Sequence, residues 1–186
     1  MVIIGVDPAF RKGGFWACFL DTSDRTVVFR QFRDVLTWDR FLQGGESPGM
    51  AYVFVENSNE QKKTFYTHKA SNGALLTSSQ ARKHRNPIPL NSNEIAGVSR
   101  NVGTNQGVSE LTVRSAVDRY GKDMVASISP EKKGAKYNEM YFFAALKGDK
   151  IVPVNYSGTQ DERDAYKLAH MGLTEVRMRK RAVLVG

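Results

Sequence analysis

Cysteine is nearly missing from this sequence of 186 residues, and so are long apolar runs. The single cysteine, Cys18, rules out an internal disulfide. It sits in the apolar stretch 15–20, which suits a small buried hydrophobe better than a catalytic thiol. No run approaches the roughly eighteen apolar residues of a membrane-spanning helix. Only three histidines occur, His68, His84 and His170, and they are scattered. Each reads by default as an ordinary surface or partly buried residue, and none is a convincing metal ligand. Acidic residues are outnumbered, 19 to 27, for a formal net charge of +8. A polyanionic partner such as nucleic acid or an anionic membrane is therefore favoured.

What is present begins at once. The segment 2–8, Val-Ile-Ile-Gly-Val-Asp-Pro, reads as a strand buried on both faces and ended by Pro8. It leaves no space for a leader, so the expected location is cytoplasmic: bacterial, phage-encoded, or a mature organellar form. Asp7 is held at the rim of this strand, where an unpaired charge is costly. Alone it suits a turn cap. Strands over 15–21 and 26–32, joined by short turns, predict an antiparallel meander. A short helix over 37–42, capped by Thr37, leads to a second buried strand, 51–56, that also ends in a carboxylate, Glu56. A strand after a helix suits a parallel partner of the first, and carboxyl ends of neighbouring parallel strands converge in one crevice.

Residues 58–100 read as a basic insertion in a single domain. Between Gln61 and Arg100, Lys62, Lys63, Lys69, Arg82, Lys83, Arg85 and Arg100 stand against one acid, Glu94, and Phe65 and Tyr66 lie among them. Such a mixture suits phosphate contacts with stacking on bases; a solvated excursion with a helix over 74–85 is the plainer account. Helix 109–120 follows, with Gly103 and Gly107 before it read as loop glycines, then a strand over 124–128. Lys132, Lys133 and Lys136 come next, either solvated or near a phosphate. In the last helix, 159–169, Asp161 and Asp164 are three apart and share a face with Leu168. Two inward carboxylates require a cation or a proton. Asp7, Glu56, Asp161 and Asp164 thus form an oxygen-only set that suits Mg2+ or Mn2+. Beside a basic surface, that set points to two-metal phosphodiester hydrolysis.

The motifs Ile4-Gly5-Val6-Asp7-Pro8, Val55-Glu56 and Asp161-Glu162-Arg163-Asp164-Ala165 resemble those of the RuvC family of Holliday junction resolvases. The resemblance implies an α/β RNase H-like fold with a five-stranded mixed sheet, three strands antiparallel and then two parallel, flanked by helices. It implies that Asp7, Glu56, Asp161 and Asp164 bind two Mg2+ or Mn2+ ions and are catalytic. Lys136, opening its helix, looks like the family's active-site lysine. The implied partners are branched DNA, a four-way junction nicked symmetrically, and a second copy in a homodimer, with no membrane. Two departures stand out: Asp7-Pro8-Ala9 replaces Asp-Pro-Gly, and the segment after Glu56 is long, with no aromatic before Phe65. A nuclease for RNA–DNA hybrids or flaps, and a non-catalytic nucleic-acid-binding module, remain as alternatives; an actin-like fold needs two lobes and a longer chain.

Overall fold

The computed structural model describes residues 1–8, 13–60 and 66–185, with the side chains at 60 and 179–185 left out. The chain forms β1 (Val2–Asp7), β2 (Phe15–Asp21), β3 (Thr26–Phe32), α1 (Val35–Gln43) and β4 (Ala51–Glu56). After these come β5 (Tyr66–Lys69), β6 (Leu75–Thr77), α2 (Ser78–Ala81), β7 (Ile88–Pro89) and α3 (Ser92–Tyr120). The last part holds β8 (Val125–Ile128), α4 (Pro130–Lys133), α5 (Glu139–Asp149), β9 (Val152–Pro153) and α6 (Gln160–Val185). The main sheet is mixed, in the order β8-β4-β1-β2-β3-β9. Pairs β1–β2 and β2–β3 are antiparallel, while β1–β4 and β4–β8 are parallel. The expected three antiparallel and two parallel strands are present. The sheet has six strands rather than five, because Val152 and Pro153 pair beside Thr26 and Val27. Two residues are too short a run to carry a period-2 signal.

Helices cover both faces of the sheet, and strand parity decides which residue meets which layer. Val2, Ile4 and Val6 of β1 pack with Trp38, Phe41 and Leu42 of α1 and with Ala116 of α3. Phe32, Trp38 and Phe41 meet with centroids 5.1–6.1 Å apart, contacts each worth roughly 0.5–1.5 kcal/mol beyond area burial. Ile3 faces the other layer, with Phe142 and Leu146 of α5 and Ala165, Leu168, Ala169 and Leu173 of α6. On this face α6 lies directly on the strands. A Cβ on Gly5 would fall onto the Ala165 carbonyl oxygen and the Ala169 amide nitrogen, and 3.1 Å from Ala169 Cα. A Cβ on Gly172 would fall onto the Phe54 ring. Glycines at these two points let the last helix approach β1 and β4 at backbone distance.

The start of α6 is built locally. Thr159 Oγ1 accepts from the Glu162 amide at 3.2 Å, and Glu162 Oε2 accepts from the Thr159 amide at 2.8 Å. This capping box is the reason Glu162 is fully buried; Ser157 also donates to its carboxylate through its amide and its hydroxyl. Thr159→Ala is expected to cost about 1 kcal/mol in urea unfolding. No loss would mean that Ser157 alone holds the helix start.

Helix positions depart from expectation in three places. The cap of α1 is Asp34, whose Oδ1 accepts from the Thr37 amide at 2.8 Å, so Thr37 is the reciprocal member. The long helix α3 spans 29 residues, about 40 Å, and begins well before 109. Gly103 and Gly107 are therefore helical, not loop glycines. Only its second half buries side chains, Ser109, Thr112, Ser115 and Ala116, so periodicity was legible only there. Its first half stands beside a second sheet in the order β6-β5-β7. The basic insertion thus holds three short strands, the four-residue α2 and the opening turns of α3, instead of a helix over 74–85. Among the described residues no helix is long and apolar enough to cross a membrane.

Candidate carboxylate–lysine site

The register of β1 against β4 runs from Val2 beside Ala51 to Val6 beside Val55. One step further, the parallel strands bring Asp7 beside Glu56. Parity puts both on the α6 face, in line with Gly5 on β1 and Phe54 on β4. Close packing at Gly5 brings the first turns of α6 over the strand ends. There Asp164 is 1% exposed, one helical turn before buried Leu168. Its Oδ1 accepts from Gln160 Nε2 at 2.9 Å, and the same amide group donates to the Tyr137 carbonyl at 2.9 Å. Gln160 therefore orients Asp164 and ties it to the segment before α5.

The cation these acids require comes from the chain itself. After β8, Ser129 caps α4 with Pro130 at its first position, and Lys133 closes that single turn. Lys133 is 8% exposed. Its Nζ donates to Asp7 Oδ2 at 3.1 Å and forms an ion pair with Glu56 Oε2. Burial alone would lower the ammonium pKa, but Asp7, Glu56 and Asp164 outweigh it and raise the pKa above the ordinary lysine value. Glu56 is pushed above the usual carboxylate range by burial and then by the charge of Asp7, against the pull of Lys133. Both directions have one cause: three carboxylates share one ammonium, leaving excess negative charge in a poorly hydrated place. Nearby, Lys167 Nζ lies 5.0 Å over the Tyr137 ring and donates to the Ala135 carbonyl. Burial and then repulsion from Lys133 lower its pKa.

Asp7, Glu56 and Asp164 are thus brought together. Asp161 is half-buried one turn earlier in α6, while Asp164 is the α6 acid whose charge acts on Glu56 and Lys133. Lys136 is exposed and precedes the Asn138 cap, so it does not open α5. Lys133 holds the interior position instead, and it is not a surface phosphate contact. Sequence reasoning missed this. The available signal was Ser129-Pro130, a helix start that folds the chain back one turn beyond a strand end. Among the described residues no three His, Cys, Asp or Glu are spaced as a ready metal-ligand group. The donor chemistry, carboxylate oxygens only, nonetheless fits a hard divalent cation.

Of the expected nucleic-acid contacts, Lys132 sits next to Lys133 in α4, and the others belong to the basic insertion. Arg82, Lys83, Arg85, Arg100 and Lys132 are exposed, whereas Tyr66 is half-buried at the start of β5. Lys69 is paired with Glu94 across β5 and α3. Lys62, Lys63 and Phe65 fall outside the described residues. Compared with known proteins, the chain matches no family model, no curated protein and no solved structure.

Proposed function

We propose that the protein is a metal-dependent, structure-selective DNA endonuclease of RNase H-like fold, acting on four-way junctions by paired symmetric nicks. One observation carries the reading: Asp7, Glu56 and Asp164 converge at the carboxyl ends of two parallel strands around a buried cation. The sheet supports it, with three antiparallel strands followed by two parallel ones. So does the chain's net charge of +8.

In this reading Asp7, Glu56 and Asp164, with Asp161 at the helix start, would hold one or two Mg2+ or Mn2+ ions. When bound, these would acidify water and neutralise charge on the phosphate. The chain's own groups prepare the place. Lys133 keeps the carboxylates gathered and charged. Gln160 aims Asp164. Lys167, close to Lys133, adds positive charge on the flank where a phosphodiester would approach. Exposed Arg82, Lys83, Arg85 and Arg100 would bind the backbone of the arms. Paired nicking requires two copies, so a homodimer belongs to this reading.

The test is cleavage of a synthetic four-way junction with and without Mg2+, beside a flap and an RNA–DNA hybrid. Wild type is expected to nick two opposed strands symmetrically. Asp7→Asn is expected to lose at least about a thousandfold in rate while still binding the junction. Equal cutting of hybrid and junction would defeat the resolvase reading, and full activity of Asp7→Asn would defeat the site.

The Lys133 ion pairs favour a second reading, a non-catalytic nucleic-acid-binding module. An ammonium already stands among the acids, so the fold needs no metal to gather them. Calorimetric titration with Mn2+ separates the two: saturable heat that Asp7→Asn removes supports the nuclease, and its absence supports the module.

A further inference from the structure

A second cationic feature lies at the opposite end of the main sheet. Thr22 donates through its amide to the Met1 carbonyl at 3.0 Å, which places the β2–β3 turn at the start of β1. Asp7 is at the other end of that six-residue strand, about 20 Å away. Beside this turn is a cavity of about 360 Å3 lined by Thr22, Arg25, Asp149, Lys150, Leu173 and Arg177. Three cations face one carboxylate there. That carboxylate is already engaged: Asp149 Oδ1 accepts from Arg177 at 2.7 Å, and its Oδ2 lies 3.0 Å from His170 Nε2. Among the described residues, Arg25 and Lys150 form no ion pair.

The backbone adds an independent reason to single out this pair. Among the described residues, Arg25 (φ 55°) and Lys150 (φ 57°) are the two non-glycine residues with positive φ. One closes the β2–β3 turn and the other caps α5. Glycine or asparagine is the ordinary choice for such left-handed positions. Both instead carry long cationic side chains, and both line the same cavity. They are also fastened together, because the Arg25 carbonyl accepts from the Val152 amide at 2.8 Å, two residues past Lys150. Residues held in sparsely populated conformations concentrate where they serve a site.

We propose that this cavity binds a phosphate group, with Arg25, Lys150 and Arg177 as its ligands. The site is distant from the carboxylates and does not depend on the nuclease reading. The phosphate belongs either to a nucleic-acid backbone or to a free phosphorylated molecule, and the same geometry serves both.

The test uses the full chain, titrated with inorganic phosphate while amide chemical shifts are followed. In parallel, affinity for a blunt DNA duplex is measured across salt concentrations. The variant Arg25→Gly/Lys150→Gly removes both charges while suiting the left-handed backbone, so its melting temperature should not fall. Arg25→Gln serves as a second variant, and Lys122→Gln as a remote charge control. Wild type is expected to give saturable shifts confined to residues 22–25, 147–152 and 173–177, weakened about tenfold or more in the double variant but not in the control. If the phosphate is part of nucleic acid, the slope of log affinity against log salt also falls by about two in the double variant. An unchanged slope with lost phosphate binding assigns the site to a free phosphorylated molecule. Shifts that never saturate, or that are equal in variant and wild type, overturn the proposal.

Discussion

Lys133→Met will lower folding stability by about 3–5 kcal/mol at neutral pH, the loss expected when one partner of a buried ion pair is removed. The methylene stem is nearly conserved, so little packing is lost. What remains is Asp7, Glu56 and Asp164 with no counter-ion. Adding Mg2+ or Mn2+ then restores stability in the variant more than in wild type, because the ion no longer competes with an ammonium. At a hundred times its dissociation constant a native-state ligand contributes about 2.7 kcal/mol. Urea unfolding of both proteins at several metal concentrations measures it. A destabilised variant that metal does not rescue would remove the support for a metal site and leave the ion pair standing.

The pH dependence follows from the shifted groups. Lys133 has a folded pKa raised above the ordinary 10.5. Its contribution is therefore complete below the unfolded lysine value and is lost as pH rises through the higher folded value. In Lys133→Met, Glu56, already raised by burial and by Asp7, loses the ammonium that held it down, so the deficit shrinks as pH falls and Glu56 takes up a proton. The gap between wild type and variant should thus be widest from neutral to mildly alkaline pH and close at both extremes.

Gly5→Ala is expected to cost at least the upper end of the usual ~1–3 kcal/mol for overpacking. The added methyl meets backbone, the Ala165 carbonyl and the Ala169 amide, and backbone of a packed helix cannot rotate away. Helix α6 must lift from β1, carrying Asp164 away from Asp7. The variant should therefore lose stability and, in the fraction still folded, lose Mn2+ affinity. Gly172→Ala is the milder companion, because it meets the Phe54 ring, a side chain that can shift. A Gly5→Ala protein within about 1 kcal/mol of wild type would mean that the helix does not lie on the strand as described.

Strands β1 to β4 were legible because each carries its own evidence: apolar runs of strand length ended by turn chemistry. The first half of α3 was not legible, because its polar, glycine-bearing residues bury almost nothing and so show no stripe. At α6 the reading of an inward face held for Asp164 and Leu168. The burial of Glu162 was not foreseen, although Thr159-Gln160-Asp161-Glu162 is a capping-box sequence.

The sequence by itself determined that Asp7 and Glu56 end two buried strands, since an apolar run of strand length and a following break are local properties. It also determined the cationic excess and the acidic opening of α6. Only the tertiary structure decided that Lys133 rather than Lys136 stands among the acids, that Asp164 is drawn over Asp7, and that Arg25 and Lys150 share a cavity. Each of these depends on how a tight turn redirects the chain and on how near a helix can approach at Gly5. Such distances are set by packing between residues far apart in sequence, which no local periodicity encodes.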